Sequence, residues 1–261
     1  MKRPIPPILS LWLLLIVALA IFIGISMSED IKIGSHTLSK GYFPETLFAR
    51  EEEEEPDTVP ENPVDTITVV EVQPDTTVHS LLIFGDSMTH NLSMSVAKYG
   101  SKNNYKVTGV TWESSSIPGW LHSGKIKEYI KMSNPDFIII SLGSNEMELK
   151  YFDRRVPDIK KIVEELDSIP FVWVGPPLWK EDRGVYSMLE AGLPNGRLFR
   201  TENIEIPRGP DHVHPTRKGA DIWADTLMRW IANSYHPILT TPPDSTSTLK
   251  GHKIIYLHPD D

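Results

Sequence analysis

The stretch SLLIFGDS, residues 80–87, is a short apolar run that ends at a glycine and is followed at once by aspartate and serine. Similar runs, each also followed by a glycine, occur at residues 136–142 (DFIIISL) and 171–174 (FVWV), and VTGVTW at residues 107–112 lies between the first two. Short apolar runs bounded by turn residues are typical of buried strands. The sequence therefore predicts several short strands inside a core.

Amphipathic segments separate these apolar runs. Residues 121–132 and 156–169 carry apolar side chains at three- and four-residue spacing, with lysines and glutamates between them. Residues 217–233 predict a closing helix with Thr216 as its N-cap. Strands that alternate with helices predict an α/β fold with a parallel sheet that is covered on both faces.

An apolar segment near the N-terminus, residues 8–25, is interrupted by only one serine and one glycine. Eighteen helical residues rise about 27 Å, which is close to the roughly 30 Å hydrocarbon core of a bilayer. Lys2 and Arg3 precede the segment, and this positive charge favours a cytoplasmic N-terminus. We predict that residues 1–26 are a cytoplasmic stub followed by an uncleaved transmembrane anchor.

A cleaved signal peptide is the alternative for the same segment, because Ala18, Leu19 and Ala20 form a small-residue cleavage pattern. The next residues, 21–23, are apolar, whereas the region after a cleavage site turns polar, and this difference favours the anchor. Both interpretations put the rest of the chain outside the cytoplasm, in the periplasm or on the cell surface.

Charge and cysteine content limit the classes of function. Residues 51–78 hold ten acidic residues and no lysine or arginine, so they account for the net charge of −9 and the rest of the chain is close to neutral. No basic face is evident, and we expect no nucleic-acid partner. The chain has no cysteine, which excludes disulfides, zinc–thiolate sites and a cysteine nucleophile.

The composition divides the chain into further segments after the anchor. Residues 27–78 are predicted to be an acidic, proline-containing linker that stays extended through self-repulsion. Residues 79–235 hold the strands and helices of the predicted domain, and residues 236–261 are a C-terminal tail. The tail contains the strand-like KIIYL at residues 253–257, for which the sequence indicates no neighbour.

Polar residues follow the strands at the edge where a parallel sheet forms its ligand site. Ser87 follows the first strand, the loop of residues 113–116 follows the second, Asn145 follows the third, and Asp211 and His214 precede the closing helix. A serine beside a histidine base that an aspartate orients is a nucleophile arrangement, and an asparagine amide is a good donor to an oxyanion. Each piece alone also fits a helix cap or a polar turn.

In combination, GDS at residues 85–87, GSN at 143–145 and DHVH at 211–214 resemble the motifs of the SGNH (GDSL) hydrolase family over residues 79–235. The resemblance implies a three-layer α/β/α, flavodoxin-like domain. It also implies a serine esterase that works through an acyl-enzyme and needs neither a cofactor nor a metal ion.

The same resemblance implies roles for individual residues. The implied catalytic residues are Ser87 as nucleophile, His214 as base and Asp211 as its partner. The implied oxyanion-hole donors are Ser87, Ser114 and Asn145. His212 is then an intervening residue of the D-x-x-H turn.

Two positions depart from the family pattern. Glu146 stands where the family usually has an aspartate, and we expect Glu146→Ala to have a mild effect because Asn145 is the donor. The family's second-block glycine is not evident. Ser114 stands nearest to that place by strand register, with Ser115 as the alternative, and a serine does not offer the backbone freedom of glycine.

Several functions remain open at this stage. The acyl group could pass to water, as in an esterase, or to a sugar hydroxyl, as in an O-acyltransferase that uses the same residues. A tethered enzyme outside the cytoplasm would act on O-acyl groups of cell-envelope glycans or on a small acylated molecule. The two departures also fit a catalytically silent, SGNH-like module that binds glycans or serves as a scaffold in the envelope.

A metallophosphoesterase is a further alternative, because GDSMTH (residues 85–90), GSNE (143–146) and DHVH (211–214) loosely echo its metal-binding blocks. The D-x-H motif that opens such domains is missing, and no histidine follows Asn145. The residues needed for a carboxylate- and histidine-rich metal cage are therefore incomplete.

Overall fold

The structure is a computed structural model and describes residues 30–33, 36–39 and 73–261, and the chain divides into two units between Ile67 and Thr68. In the first unit, β1 (Asp30–Ile33) and β2 (His36–Ser39) form an antiparallel pair. Both strands lie within residues 27–78, where the sequence predicted an extended linker and no strands. The anchor predicted at residues 1–26 lies outside the described residues. None of the helices in the described part has the length and apolar character needed to cross a bilayer.

The second unit is built on a six-stranded sheet. Its strands are β3 (Ser80–Gly85), β4 (Lys106–Trp112), β5 (Phe137–Ser141), β6 (Phe171–Val174), β7 (Leu198–Phe199) and β8 (Lys253–Leu257). Its helices are α1 (Thr89–Asn103), α2 (Ile117–Ser123), α3 (Lys125–Ser133), α4 (Val156–Glu165), α5 (Val185–Gly192) and α6 (Arg217–Ile231). A 3₁₀ turn at Phe152–Arg155 precedes α4.

The sheet is parallel throughout, in the order β7-β6-β5-β3-β4-β8. Alternate side chains of each strand point to opposite faces, so the sheet separates two cores. Leu81 and Ile83 pack into the core that α1 and α6 cover, whereas Leu82 and Phe84 pack into the core that α2 to α5 cover. The predicted α/β class and its parallel sheet are therefore confirmed, as three layers.

The strand order places a ligand crevice at the carboxyl ends of β3 and β5. Without β8, the strands follow the order 2-1-3-4-5 of flavodoxin-like sheets, in which the chain leaves neighbouring central strands toward opposite faces. Here α1 follows β3 on one face, and α4 is the first α-helix after β5, on the other face. Gly85 ends β3 against β5 so closely that an added Cβ would lie 1.9 Å from the Ser141 carbonyl oxygen.

Two helix predictions need correction in their bounds. The single helix predicted over residues 121–132 is two helices, α2 and α3, because Gly124 between them takes a left-handed φ of 74°. The helix predicted over 156–169 already ends at Glu165. The closing helix begins as predicted, since the Thr216 side chain accepts a hydrogen bond from the Gly219 N–H at 3.0 Å.

The C-terminal tail belongs to the domain. Its strand β8 pairs in parallel with β4 and forms an edge of the sheet, while Ile238 is buried in the core. At the other end of the domain, the Asp75 N–H donates to the Pro237 carbonyl at 2.7 Å, and its carboxylate lies 3.1 Å from the His236 ring. The predicted bounds of 79–235 thus leave out segments on both sides that complete the fold.

Candidate active site

The loops after β3, β4, β5 and β6 and the turn before α6 meet in a pocket of about 160 Å³ at the carboxyl edge of the sheet. Its lining residues are Ser87, Met88, Glu113, Ser114, Ser144, Asn145, Trp179, Val213 and His214. The structure therefore brings together four of the five residues that the sequence analysis singled out. The fifth, Asp211, lies directly behind the pocket wall, in contact with His214.

The serine, histidine and aspartate form one continuous line of hydrogen bonds. The Ser87 Oγ lies 2.9 Å from the His214 Nε2, and the His214 Nδ1 lies 2.7 Å from the Asp211 Oδ2. An ionised carboxylate can only accept hydrogen bonds, so Nδ1 carries the ring proton. The lone pair of Nε2 then faces the Ser87 hydroxyl, which is the arrangement that a general base requires.

The D-x-x-H turn keeps the aspartate ionised. The Asp211 Oδ1 accepts the backbone N–H groups of Val213 and His214 at 3.0 and 3.1 Å. Hydrogen bonds from the His214 ring first, and then from these N–H groups, lower the pKa of Asp211 to about 2. The intervening His212 is exposed, with a left-handed φ of 58°, and the turn passes through it without turning its ring into the line of hydrogen bonds.

Asp86 connects the serine loop to the asparagine loop. It is 1% exposed, and its Oδ2 accepts both the Ser144 N–H at 3.2 Å and the Ser144 hydroxyl at 2.8 Å. Its Oδ1 accepts the Met88 N–H at 3.1 Å. Burial raises the pKa of Asp86 to about 6, against the opposing effect of these bonds. The aspartate of the GDS motif thus holds Ser87 and Asn145 on adjoining loops.

The loop after β4 carries Ser114, which the sequence places nearest to the second-block glycine of the SGNH pattern. Ser114 has a φ of 58°, which is the left-handed conformation that glycine adopts without strain. Within residues 73–261, neither the Ser114 N–H nor the Ser87 N–H donates to another protein atom. The Asn145 amide donates one hydrogen to the Ser115 carbonyl at 2.8 Å, which leaves its second hydrogen for another acceptor.

Glu146 has a buried role that the sequence analysis did not find. Its side chain is in the protein interior, and its Oε1 accepts the Ile117 N–H at the start of α2 at 2.8 Å. Burial, with a smaller contribution from the nearby Asp86, raises the pKa of Glu146 to about 7. Glu146 therefore ties the loop of Asn145 to the helix that follows the loop of Ser114.

Arg208 was also missed, although it lies just before the D-x-x-H motif. Its guanidinium donates to the Val213 carbonyl in that turn and to the carbonyls of Pro177 and Leu178, at 3.1 and 2.8 Å, in the loop after β6. It thereby links the turn that carries His214 to the loop that carries Trp179. An arginine near a motif gives no sequence signal for contacts that are about 30 residues away.

The geometry of the described residues offers no alternative metal centre. Within residues 30–33, 36–39 and 73–261, no three or more histidine, aspartate or glutamate side chains converge as metal ligands. Both ring nitrogens of His214 already face Ser87 and Asp211. The donor set required by a metallophosphoesterase is therefore not assembled in this part of the chain.

Comparisons with known proteins give structural neighbours only. No family model matches the chain, and no curated protein matches it. Among solved structures, the chain is similar to the psychrotrophic esterase EstA from Pseudoalteromonas sp. in a form inhibited by monoethylphosphonate, with 15% identity, a TM-score of 0.44, and coverage of 59% of this chain and 98% of EstA. It is similar to TesA with 12% identity, a TM-score of 0.44, and coverage of 59% and 98%.

A third neighbour is a member of the lipolytic protein G-D-S-L family from Veillonella parvula, with 14% identity, a TM-score of 0.41, and coverage of 57% of this chain and 96% of that protein. The architecture and the site described above rest on the strand order, packing and distances of this chain itself.

Proposed function

We propose that this chain is a serine esterase that acts through an acyl-enzyme. The observation that carries the proposal is the line of hydrogen bonds from Ser87 through His214 to Asp211, with distances of 2.9 and 2.7 Å. Its position at the carboxyl ends of central strands agrees with the place where α/β sheets bind ligands. The same line argues against a catalytically silent module, for which no such arrangement is needed.

The proposed reaction has two steps with the same residues. The Ser87 Oγ attacks the ester carbonyl while its proton moves to the His214 Nε2, and His214 then gives that proton to the departing alkoxide, so an alcohol leaves and the acyl-enzyme remains. In the second step, His214 takes a proton from water while the water oxygen attacks the acyl carbonyl. The bond between that carbon and the Ser87 Oγ then breaks, His214 returns its proton to the Oγ, and the acid leaves. Asp211 stays ionised throughout and stabilises the imidazolium.

Three donors in the pocket are proposed to stabilise the tetrahedral oxyanion. They are the N–H groups of Ser87 and Ser114 and the second amide hydrogen of Asn145. Asp86 and Glu146 support this set, because they hold the three loops together through buried hydrogen bonds. Such donors act mainly in the transition state, where the negative charge develops.

The proposed substrate is a short acyl ester of a cell-envelope glycan. The pocket of about 160 Å³ is smaller than most ligand sites, which favours a short acyl group. The choice of a cell-envelope glycan as substrate rests on location, because we propose that the N-terminal segment at residues 8–25 anchors the domain outside the cytoplasm. Transfer of the acyl group to a sugar hydroxyl instead of water uses the same residues, and product analysis distinguishes the two.

Active-site labelling tests the proposed activity. The full-length chain in detergent should hydrolyse p-nitrophenyl acetate, and a fluorophosphonate probe should label Ser87. Ser87→Ala should lose labelling and about 10³–10⁶ of the rate while its circular dichroism stays unchanged. A parent protein with no turnover and no labelling would support the silent module instead.

Membrane fractionation tests the proposed anchor. The mature protein should stay in the membrane fraction after a carbonate wash and should retain residues 1–26. N-terminal sequencing that begins at Ile21 would show that the segment is a cleaved signal peptide.

A further inference from the structure

The small pocket leaves most of a glycan ester outside it. Ligand pockets usually enclose roughly 300–1,000 Å³, whereas this one holds about 160 Å³. A short acyl group and the reacting carbonyl fill such a space. The alcohol part of the substrate must then lie on the rim, and the side chains at the rim decide which alcohols bind.

Trp179 is the large aromatic side chain on that rim. It lines the pocket together with Ser87 and His214 and remains 36% exposed, whereas Trp120, Trp173 and Trp223 are fully buried. A ligand that reaches Ser87 and His214 in this pocket can cover the exposed part of the indole, and removing that apolar surface from water is favourable. Its position therefore points to a ligand contact.

Contacts of Lys180 and of the preceding Leu178 connect Trp179 to other parts of the site. The Lys180 ammonium lies 4.6 Å from the centroid of the Trp179 ring and also pairs with Glu148. The carbonyl of the preceding Leu178 accepts a hydrogen bond from Arg208 at 2.8 Å, and the same guanidinium binds the turn of His214. The backbone next to Trp179 is thus linked to the turn of His214, so a ligand that stacks on the indole lies beside the serine and histidine of the pocket.

An acidic residue, Glu113, is also part of the lining of this pocket. Its N–H donates to the Leu257 carbonyl at 3.0 Å, and its carboxylate lies 3.7 Å from the His258 ring. Its side chain is 41% exposed, so its oxygens can still accept hydrogen bonds from a ligand. Hydroxyl groups satisfy such an acceptor, whereas an alkyl chain would desolvate it without a partner.

We propose that Trp179 is the platform on which a sugar ring of the substrate stacks while its O-acyl group enters the pocket, and that Glu113 accepts a hydroxyl of the same saccharide. The inference rests on the proposed esterase function. A pyranose presents a face of C–H bonds with partial positive charge, which suits the negative face of an indole ring, and its rim of hydroxyls suits the carboxylate. Trp179 is a specificity-determining residue for the alcohol part of the ester.

Three esters and three variants test the platform. The full-length chain in detergent is assayed with ethyl acetate, ethyl octanoate and mono-O-acetylated cellobiose. Trp179→Ala should lower kcat/KM for the acetylated disaccharide about tenfold, mainly through KM, and should lower kcat/KM for ethyl acetate by a clearly smaller factor. Trp179→Phe should recover part of the loss. Tyr151→Ala removes an aromatic ring that is 60% exposed and does not line the pocket, and it should behave like the parent protein on all three esters.

The outcomes separate the platform from the proposed function. Equal losses of kcat/KM on ethyl acetate and the disaccharide would overturn the sugar platform. A loss of kcat/KM confined to ethyl octanoate would also overturn it, and would indicate that Trp179 contacts the acyl chain instead. A parent protein that hydrolyses ethyl acetate but not the disaccharide overturns the platform alone. A parent protein that hydrolyses none of the esters, with Ser87 unlabelled by a fluorophosphonate, overturns both.

Discussion

The Glu146 carboxylate accepts the backbone N–H of Ile117 at 2.8 Å in the protein interior. This bond joins the loop after β5 to the first turn of α2, which is a short helix with no acidic side chain in its first turn. A few residues away, the Asn145 amide donates to the Ser115 carbonyl at 2.8 Å. Two adjacent residues of one loop thus hold the neighbouring loop of the proposed oxyanion hole.

We predict that Glu146→Ala is more harmful than the mild effect expected from the sequence. It leaves the Ile117 N–H without its acceptor and opens a cavity, and a buried unsatisfied group alone costs about 1–3 kcal/mol. The free energy of unfolding measured in urea and the turnover of p-nitrophenyl acetate should both fall. Glu146→Gln keeps an acceptor oxygen and should stay closer to the parent protein, and the exposed Glu164→Ala serves as the control.

The pH dependence of the same variants tests the buried carboxyl. Because burial raises the pKa of Glu146 from 4.5 to about 7, the folded state holds the proton more tightly than the unfolded state does. Its contribution to stability is present below about pH 4.5 and is lost as the pH rises through about 7. The parent protein should therefore lose on the order of 1–3 kcal/mol relative to Glu146→Gln between pH 5 and pH 8. Parallel stability curves for the two proteins would contradict this role.

The two histidines of the D-x-x-H turn should differ sharply. His214→Ala should lose about as much activity as Ser87→Ala, and the double variant should be little worse, because the residues act as a unit. His212→Asn should keep most of the activity, since asparagine tolerates the left-handed φ of 58° and the ring of His212 is not part of the line of hydrogen bonds from Ser87 to Asp211. Steady-state rates on p-nitrophenyl acetate decide this, and equal losses at the two positions would argue against the assignment of the base.

Asn145→Ala should lower kcat strongly and change KM little. Loss of one oxyanion donor typically costs about 10²–10³ in kcat, or roughly 3–4 kcal/mol of transition-state stabilisation. The KM should change little, because the charge exists only in the transition state. Asn145→Asp serves as a shape-matched comparison that replaces the donor with an acceptor. If Asn145→Ala turns over like the parent protein, the oxyanion role is wrong.

Ser114→Gly should retain or raise activity. Glycine adopts a φ of 58° without the cost of about 1–2 kcal/mol that other residues incur, while its added freedom in the unfolded chain costs about 0.5–1 kcal/mol. The net change in stability should therefore stay within about 1 kcal/mol. Ser114→Val, which is β-branched and resists this backbone conformation, should lower kcat and the melting temperature. Equal kcat values for the two variants would mean that the Ser114 backbone is not part of the oxyanion hole.

A chain that stops after residue 235 should lose its cooperative unfolding. It lacks β8 at the edge of the sheet and Ile238 in the core, and the burial of one such side chain alone contributes about 1.5–3 kcal/mol. A chain that stops after His258 keeps both features and is the matched control. Thermal unfolding by circular dichroism should show a normal transition for the control only. A normal transition for the shorter chain would mean that the tail is dispensable for the fold.

The sequence alone was sufficient for the central strands, the class of fold and the residues that meet at the site. The apolar runs around residues 80–87, 136–142 and 171–174 are local signals, because each strand is buried on both faces and must be apolar throughout. Parallel strands place their carboxyl ends at one edge of the sheet, so Ser87 and Asn145 could be expected to lie together. The N-cap at Thr216 was predictable for the same reason, since capping is a contact over three residues.

Only the tertiary structure decided the contacts between distant parts of the chain. The neighbour of β8, the acceptor role of Glu146 and the partners of Arg208 all join segments that lie about 30 to 150 residues apart. Ser114 was placed by register, yet its left-handed backbone follows from the loop geometry. Apolar periodicity records which side chains are buried, but it carries no information about which polar group a buried carboxylate or guanidinium will meet. That pairing is set by the packing of whole elements, because a buried polar group must find its partner wherever the fold brings one within reach.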